Sequence, residues 1–303
     1  MKAIFQKAEN HWAFQSIQDP KIPKSGLHNP IDAFVERRLQ EQSLDSAKPA
    51  NRETIIRRLY HDLIGLKPTY EEIKAFIEDT NPKAYANLVD QLLASPRYGE
   101  RWGRHWLDVA RYADTKGYLA GGESRAYPYA YTYRDWVIQA LNNDLPYDQF
   151  IRQQLAADFL SDQPNDGDLA ALGFLTAGPV FLNRKQLIID DQIDLVTRGL
   201  MGFTVACARC HDHFHDPIPT ADYYSLYGIF DASNKPAQLP LIGNPDENSS
   251  AYIEFKKKLN ELQAKVDQYL QSKLDFIQSR EGIEQYIKLS LDAYETPKND
   301  LKH

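Results

Sequence analysis

Apolar positions recur at steps of three and four along most of the chain, a period that predicts one helix after another. Asn29-Pro30 is a capping residue with proline at the first helical position, and Ile31, Phe34, Val35 and Leu39 supply the apolar stripe that follows. Asn51 opens the next helix, with Ile55, Ile56, Leu59 and Leu63 facing inward and Gly65 and Pro68 ending it. Thr69 to Glu72 reads as a capping box, and Pro82 starts an amphipathic segment that runs to Leu93.

The segment Arg97 to Thr115 differs from these. Trp102, Trp106, Val109 and Ala113 make its apolar face, and Arg101, His105, Asp108 and Tyr112 form a polar stripe beside it. A helix carrying two tryptophans predicts that this stripe is half buried, with Asp108 paired to Arg104 or Arg111. Lys116 to Arg134 then reads as a long loop with several glycines, in which the tyrosine alternation from 127 to 133 suits a short strand equally well. Helices return at Asp135 to Asn142 and Tyr147 to Leu160, before an Asp-rich turn at Ser161 to Asp168.

Gln186 to Met201 has Ile189, Ile193, Val196 and Leu200 on one face and Asp190, Asp191 and Asp194 on another, which reads as a solvated face. Asp216 to Pro219 turns the chain, and Thr220 and Asp222 open a last core helix. Tyr252, Phe255, Leu259, Leu262, Val266 and Tyr269 continue as a coiled-coil seam. The expected fold class is therefore mainly α: a single helical domain with long loops and a C-terminal coiled-coil or helical-hairpin extension. Its expected parts are an extended arm (1–28), a helical domain (29–232), a linker (233–250) and the extension (251–303), with more protein expected to follow.

At 303 residues the chain can bury a large core without a disulfide or metal to help it fold. A net charge of -7 argues against nucleic acid as a partner, and no run of 18 apolar residues exists to cross a membrane. The 18 tyrosines concentrate near the central loop.

The chemistry lies in Val205 to His215, which holds both cysteines and three of the eight histidines. Cys207, Cys210 and His211 form the C-x-x-C-H attachment pattern of a c-type haem, in which both thiols bond to the porphyrin and the histidine ligates iron. On a helical turn the three share a face. A zinc site from the cysteines and two of the three histidines is the alternative, and a buried free pair or a redox dithiol needs no metal at all. Thioether attachment is normally carried out outside the cytoplasm, so the expected location is periplasmic or otherwise exported, with the leader absent from this chain. Gly199 and Gly202, just before the cysteines, would let backbone approach something flat.

Several longer runs carry a resemblance: His11 to Phe14, Asn29 to Phe34, Tyr98 to Trp102, His105 to Thr115, Tyr133 to Ile138, and Cys207 through Tyr224. Together, over about residues 11–235, they resemble the planctomycete cytochrome-associated domain of unknown function. That family usually occurs in large exported proteins, often with an uncharacterised domain downstream and sometimes a cytochrome module upstream. The resemblance favours haem c over zinc and implies no established reaction.

With His211 as the proximal ligand, the second axial ligand has to reach the opposite face of the ring. Two residues of extended chain span about 7 Å, too little for His213, which is expected to hydrogen-bond locally instead. The remaining candidates are His105, His61, His28, His11 and Met201. His105 leads, because it lies on the polar stripe and within the most specific family-like run; an open sixth position is the alternative. Arg209, Arg104 and Arg111 are candidates to pair with haem propionates. Three functions follow. The first is a mono-haem electron-transfer domain serving a redox partner protein or domain. The second is a haem enzyme, peroxidase-like or oxidatively modifying glycans. The third is a zinc-stabilised scaffold or glycan-binding module, with carbohydrate as partner and tyrosines as a stacking platform.

Overall fold

In the computed structural model the described residues are 6, 8–24, 26, 29–117, 119, 124–160, 167–234, 240, 242 and 245–295. Helix dominates: 12 α-helices and no named strand occur among the described residues, as the 3.6-residue period predicts. The chain divides into two compact units, 1–242 and 243–303.

The first unit begins its helices where the capping residues sit. Asn29 accepts from the Ile31 amide to open α1 (Pro30–Glu41), Asn51 accepts from Thr54 to open α2 (Arg52–Ile64), and Thr69 and Glu72 form the full capping box of α3 (Tyr70–Glu78). Gly65, at φ 70°, ends α2 in the left-handed conformation that glycine adopts without steric cost. With α4 (Ala84–Leu93), α2 and α3 enclose a small core around Ile56, Tyr60, Phe76 and Leu88.

The main core lies between α5 (Pro96–Val109), α6 (Ala130–Asn142), α7 (Tyr147–Leu160) and α8 (Gly173–Thr176). Glycines set the approach of α5 to α6: a Cβ on Gly99 would lie 2.4 Å from the Ile138 carbonyl oxygen, and one on Gly103 would lie 3.2 Å from the Ile138 side chain. The buried stripe of α5 is therefore Gly99, Gly103, Trp106 and Ala110, one step round from the expected one. Trp106 enters the core, where its Nε1–H reaches Gln154 Oε1 at 2.7 Å and the Tyr133 hydroxyl at 3.2 Å. Trp102 and Val109, expected inside, are 42% and 39% exposed. His105 and Asp108 are exposed too, and Asp108 forms no ion pair among the described residues.

The expected loop from 116 to 134 is shorter than its tyrosines suggested. An antiparallel bridge, Thr115 to Ala126, closes it, and α6 starts at Ala130. Tyr133, Trp136, Val137 and Ala140 are buried at helical spacing, so period 3.6 overrides the alternation. Tyr118, Gly121 and Gly122 of this loop lie outside the described residues, as does most of the Asp-rich turn after Leu160.

A third core joins α9 (Lys185–Met201), the 3-10 turn Val205–Arg209 and α10 (Thr220–Ala232) through Ile189, Ile193, Val205, Ala208 and Tyr223. The acidic face of α9 is not a solvated one. Asp190, Asp191 and Asp194 have side-chain exposures of only 27%, 16% and 25%, because apolar residues surround this helix on nearly every side. Gly199 makes room for Val109 of α5, and Gly202, at φ 73° with open space around it, ends α9 in the left-handed conformation.

In the second unit, α11 (Ser250–Gln278) and α12 (Arg280–Glu295) meet at Ser279. A Cβ on Gly282 would lie 2.0 Å from the Phe276 carbonyl oxygen, which fixes glycine at that corner. The seam is exposed along its length, with Leu259 at 44% and Tyr269 at 61%.

Candidate functional site

The cysteine turn hangs between two helices that hold it from both sides. Gly202 releases the chain from α9, and Val205 and Ala208 anchor the turn in the third core at 5% and 0% exposure. Cys207 lies within this 3-10 turn and Cys210 caps its end. Both thiols are free and exposed. His211 follows, also exposed, with its ring 4.7 Å from that of Phe214. Its Nδ1 lies 2.8 Å from the Asp212 carbonyl oxygen, so Nδ1 carries the proton and the Nε2 lone pair is left free. Metal-binding histidines are commonly oriented by this same hydrogen bond.

Beneath these groups the loop is tied down by residues that expose little. His213 is 7% exposed, and its Nδ1 accepts from the backbone amides of His215 at 3.3 Å and Asp216 at 2.9 Å. That assigns the ring proton to Nε2, which donates to Thr204 Oγ1 at 3.0 Å. The Asp216 carboxylate lies 3.4 Å from Nδ1, but with that nitrogen accepting, the contact is not an ion pair. Asp212 turns the other way and accepts from the Thr220 amide at 2.9 Å, capping α10.

Arg209, between the cysteines, is fixed by both neighbouring helices. Its guanidinium lies 3.5 Å from Asp190 of α9, and its carbonyl accepts from the Tyr224 hydroxyl of α10 at 3.2 Å. Asp190 also accepts from the buried Tyr223 hydroxyl at 2.7 Å; burial, followed by this carboxylate, pushes the phenol well above its ordinary value. The next residue, Asp191, binds Arg111. Burial raises the Asp191 carboxyl, with Arg111 opposing the shift. Arg111 itself sits at φ 55° just beyond α5, so adjacent positions of α9 gather both arginines.

Arg104 and His105 are elsewhere on α5. Arg104 lines a groove with Arg97, Glu100 and Arg101 against the end of α2 around Gly65. His105 packs its ring 5.6 Å from Trp102 and has no hydrogen bond among the described residues. Neither forms a hydrogen bond, ion pair or ring contact with the cysteine turn among the described residues. Of the other ligand candidates, His11 caps a short N-terminal turn whose Phe14 stacks on Phe203 at 5.9 Å, His61 and Met201 are exposed, and His28 lies outside the described residues.

Sequence reasoning missed Thr204, Asp190, Tyr223 and Tyr224 as supports of the turn. The signal for Asp190 was present: leucine, isoleucine and valine at 187, 188, 189, 193, 195 and 196 encircle the helix and leave no broad solvated face. Among the described residues no three His, Cys, Asp or Glu side chains converge to hold a metal ion.

The fold and site define a helical domain with an exposed dithiol-imidazole turn. The family described as PSCyt2, a protein of unknown function (DUF1549), matches residues 30–235, and the chain belongs to that family. No curated protein and no solved structure matches the chain significantly.

Proposed function

We propose that this domain is an exported mono-haem carrier of electrons, with haem attached at Cys207 and Cys210 and ligated by His211. The observation that carries the reading is the state of the turn: two unpaired, exposed thiols three residues apart are followed at once by an imidazole whose Nδ1 is already engaged and whose Nε2 is free. These residues fit a c-type haem. The thiols would form the thioether bonds, His211 would supply the proximal nitrogen, and the exposed Phe214 ring beside it offers apolar surface. A haem held there supplies one-electron chemistry at iron. The domain's own part is to present the three groups from a turn that His213, Asp190 and Tyr224 hold in place. A tetrahedral zinc site, by contrast, needs four convergent donors, and no group of three is found among the described residues.

His105 is the proposed second ligand, from the exposed stripe of α5 that ends at Val109, which packs against Gly199 eight residues before Cys207. Arg209 and Arg111 already serve Asp190 and Asp191, which leaves Arg104 with its guanidinium unpaired among the described residues. The test is the visible spectrum of protein made with haem c maturation enzymes. The expected result is a Soret band of a low-spin haem that turns high-spin in His105→Ala. An unchanged spectrum in that variant removes His105, and absence of a Soret band with one zinc per chain overturns the haem reading.

A further inference from the structure

A second cluster of polar groups lies at the start of α6, apart from the cysteine turn. The Tyr112 hydroxyl donates to Asp114 at 2.7 Å, and Arg134 grips Asp135 through Nε at 3.0 Å and Nη2 at 2.9 Å. The Tyr112 ring lies 6.4 Å from that of Tyr133, the residue before Arg134, which places the two pairs side by side. Asp114 is held rigidly: its carbonyl accepts from the Tyr127 amide at 2.8 Å, and the next residue forms the bridge to Ala126. Tyr131 lies three and four residues before Arg134 and Asp135, hence on the same helical face. Tyr131 is 48% exposed, and its ring makes no ring contact among the described residues.

The composition of this surface selects its ligand. Two carboxylates repel an anion and, with the overall charge of -7, a nucleic acid. A divalent cation is disfavoured by Arg134, and no convergent donor group is present among the described residues. An apolar ligand would leave four charged or polar groups without use. Vicinal hydroxyls, each both donor and acceptor, suit a carboxylate next to a guanidinium, and a bare tyrosine ring suits the apolar face of a sugar.

We propose that Tyr131, Arg134, Asp135, Asp114 and Tyr112 form a binding site for a neutral carbohydrate chain. Tyr131 stacks on a sugar ring while Asp114 and Arg134 take its hydroxyls. The site is independent of haem attachment and uses none of the same residues.

Native affinity electrophoresis of the full chain in gels containing laminarin, galactomannan, arabinoxylan or alginate tests this. Retardation by at least one of the three neutral polysaccharides is expected, weakened at least tenfold in Tyr131→Ala and Asp114→Ala, and retained in the Cys207→Ala/Cys210→Ala variant. Circular dichroism of each variant should match the parent, since Tyr131 and Asp114 are exposed; where Asp114→Ala does not, Tyr131→Ala decides alone. Retardation by none of the neutral polymers, by alginate only, or equally in parent and Tyr131→Ala overturns the proposal.

Discussion

The cysteine turn and helix α5 carry the two densest sequence signatures in the molecule, and they spend their polar atoms in opposite ways. In the turn, Cys207, Cys210 and His211 leave their reactive atoms exposed and unengaged, while His213, Thr204 and Asp212 bond only within the protein. On the buried side of α5 the distinctive residues are used up in packing: Gly99 and Gly103 admit α6, Trp106 donates to Gln154, and Arg111, just beyond the helix, holds Asp191. The difference separates a binding motif from a structural one more sharply than residue type does. A motif offers chemistry where its polar atoms are free and the atoms behind them are satisfied.

The largest effect expected strikes both regions at once. Tyr112 and Tyr60 are raised to about 12, and Tyr133 and Tyr223 further still, chiefly by burial. Phenols raised in the folded state add stability that is fully present below the ordinary value of 10.0 and lost as pH climbs through about 12. An alkaline titration followed at the tyrosinate absorbance should show these four ionising together with loss of helical signal. Their gradual ionisation in a folded protein would contradict the burial argument.

Next comes a change confined to α5. Gly99→Val places a methyl against the Ile138 carbonyl and displaces Asn142, whose Oδ1 accepts from the Gly99 amide at 2.8 Å. The expected loss is ~3 kcal/mol, read as a lower urea midpoint. Gln154→Leu, in the same core, removes the acceptor shared by Trp106 and Tyr133. Trp106 keeps the Tyr133 hydroxyl as an acceptor, so one buried donor, that hydroxyl, is left unsatisfied, at an expected cost of about 1 to 3 kcal/mol by the same measurement. If either substitution proves neutral, α5 is not the structural partner in the comparison.

The smallest global effect, and the most local, belongs to His213→Ala. It strips the acceptor from the His215 and Asp216 amides and the donor to Thr204, so amide exchange over residues 212–218 should accelerate at least tenfold. The urea midpoint should fall by no more than about 2 kcal/mol equivalent. Exchange that is unchanged would mean the loop does not depend on its buried histidine.

The sequence made one half of this contrast legible. Capping residues placed the starts of α1, α2 and α3, and the C-x-x-C-H run stood out from spacing alone, since both depend on neighbours in sequence. The misreadings share a cause. Trp102 was expected inside and Asp190 outside because residue type was read without the partner helix; two glycines turned α5 by one step, and Tyr223 and Arg209 arrived from α10 and the turn to engage Asp190. Tyrosine alternation from 127 to 133 mimicked a strand until Trp136, Val137 and Ala140 fixed the helical period.

The central claim is that the exposed thiols are attachment points. Protein made with haem c maturation enzymes should keep its haem through denaturation, seen as a covalent mass increase of one haem per chain, and Cys207→Ala/Cys210→Ala should lose it entirely. A parent chain that emerges with its mass unchanged under conditions that mature a control cytochrome would contradict the account.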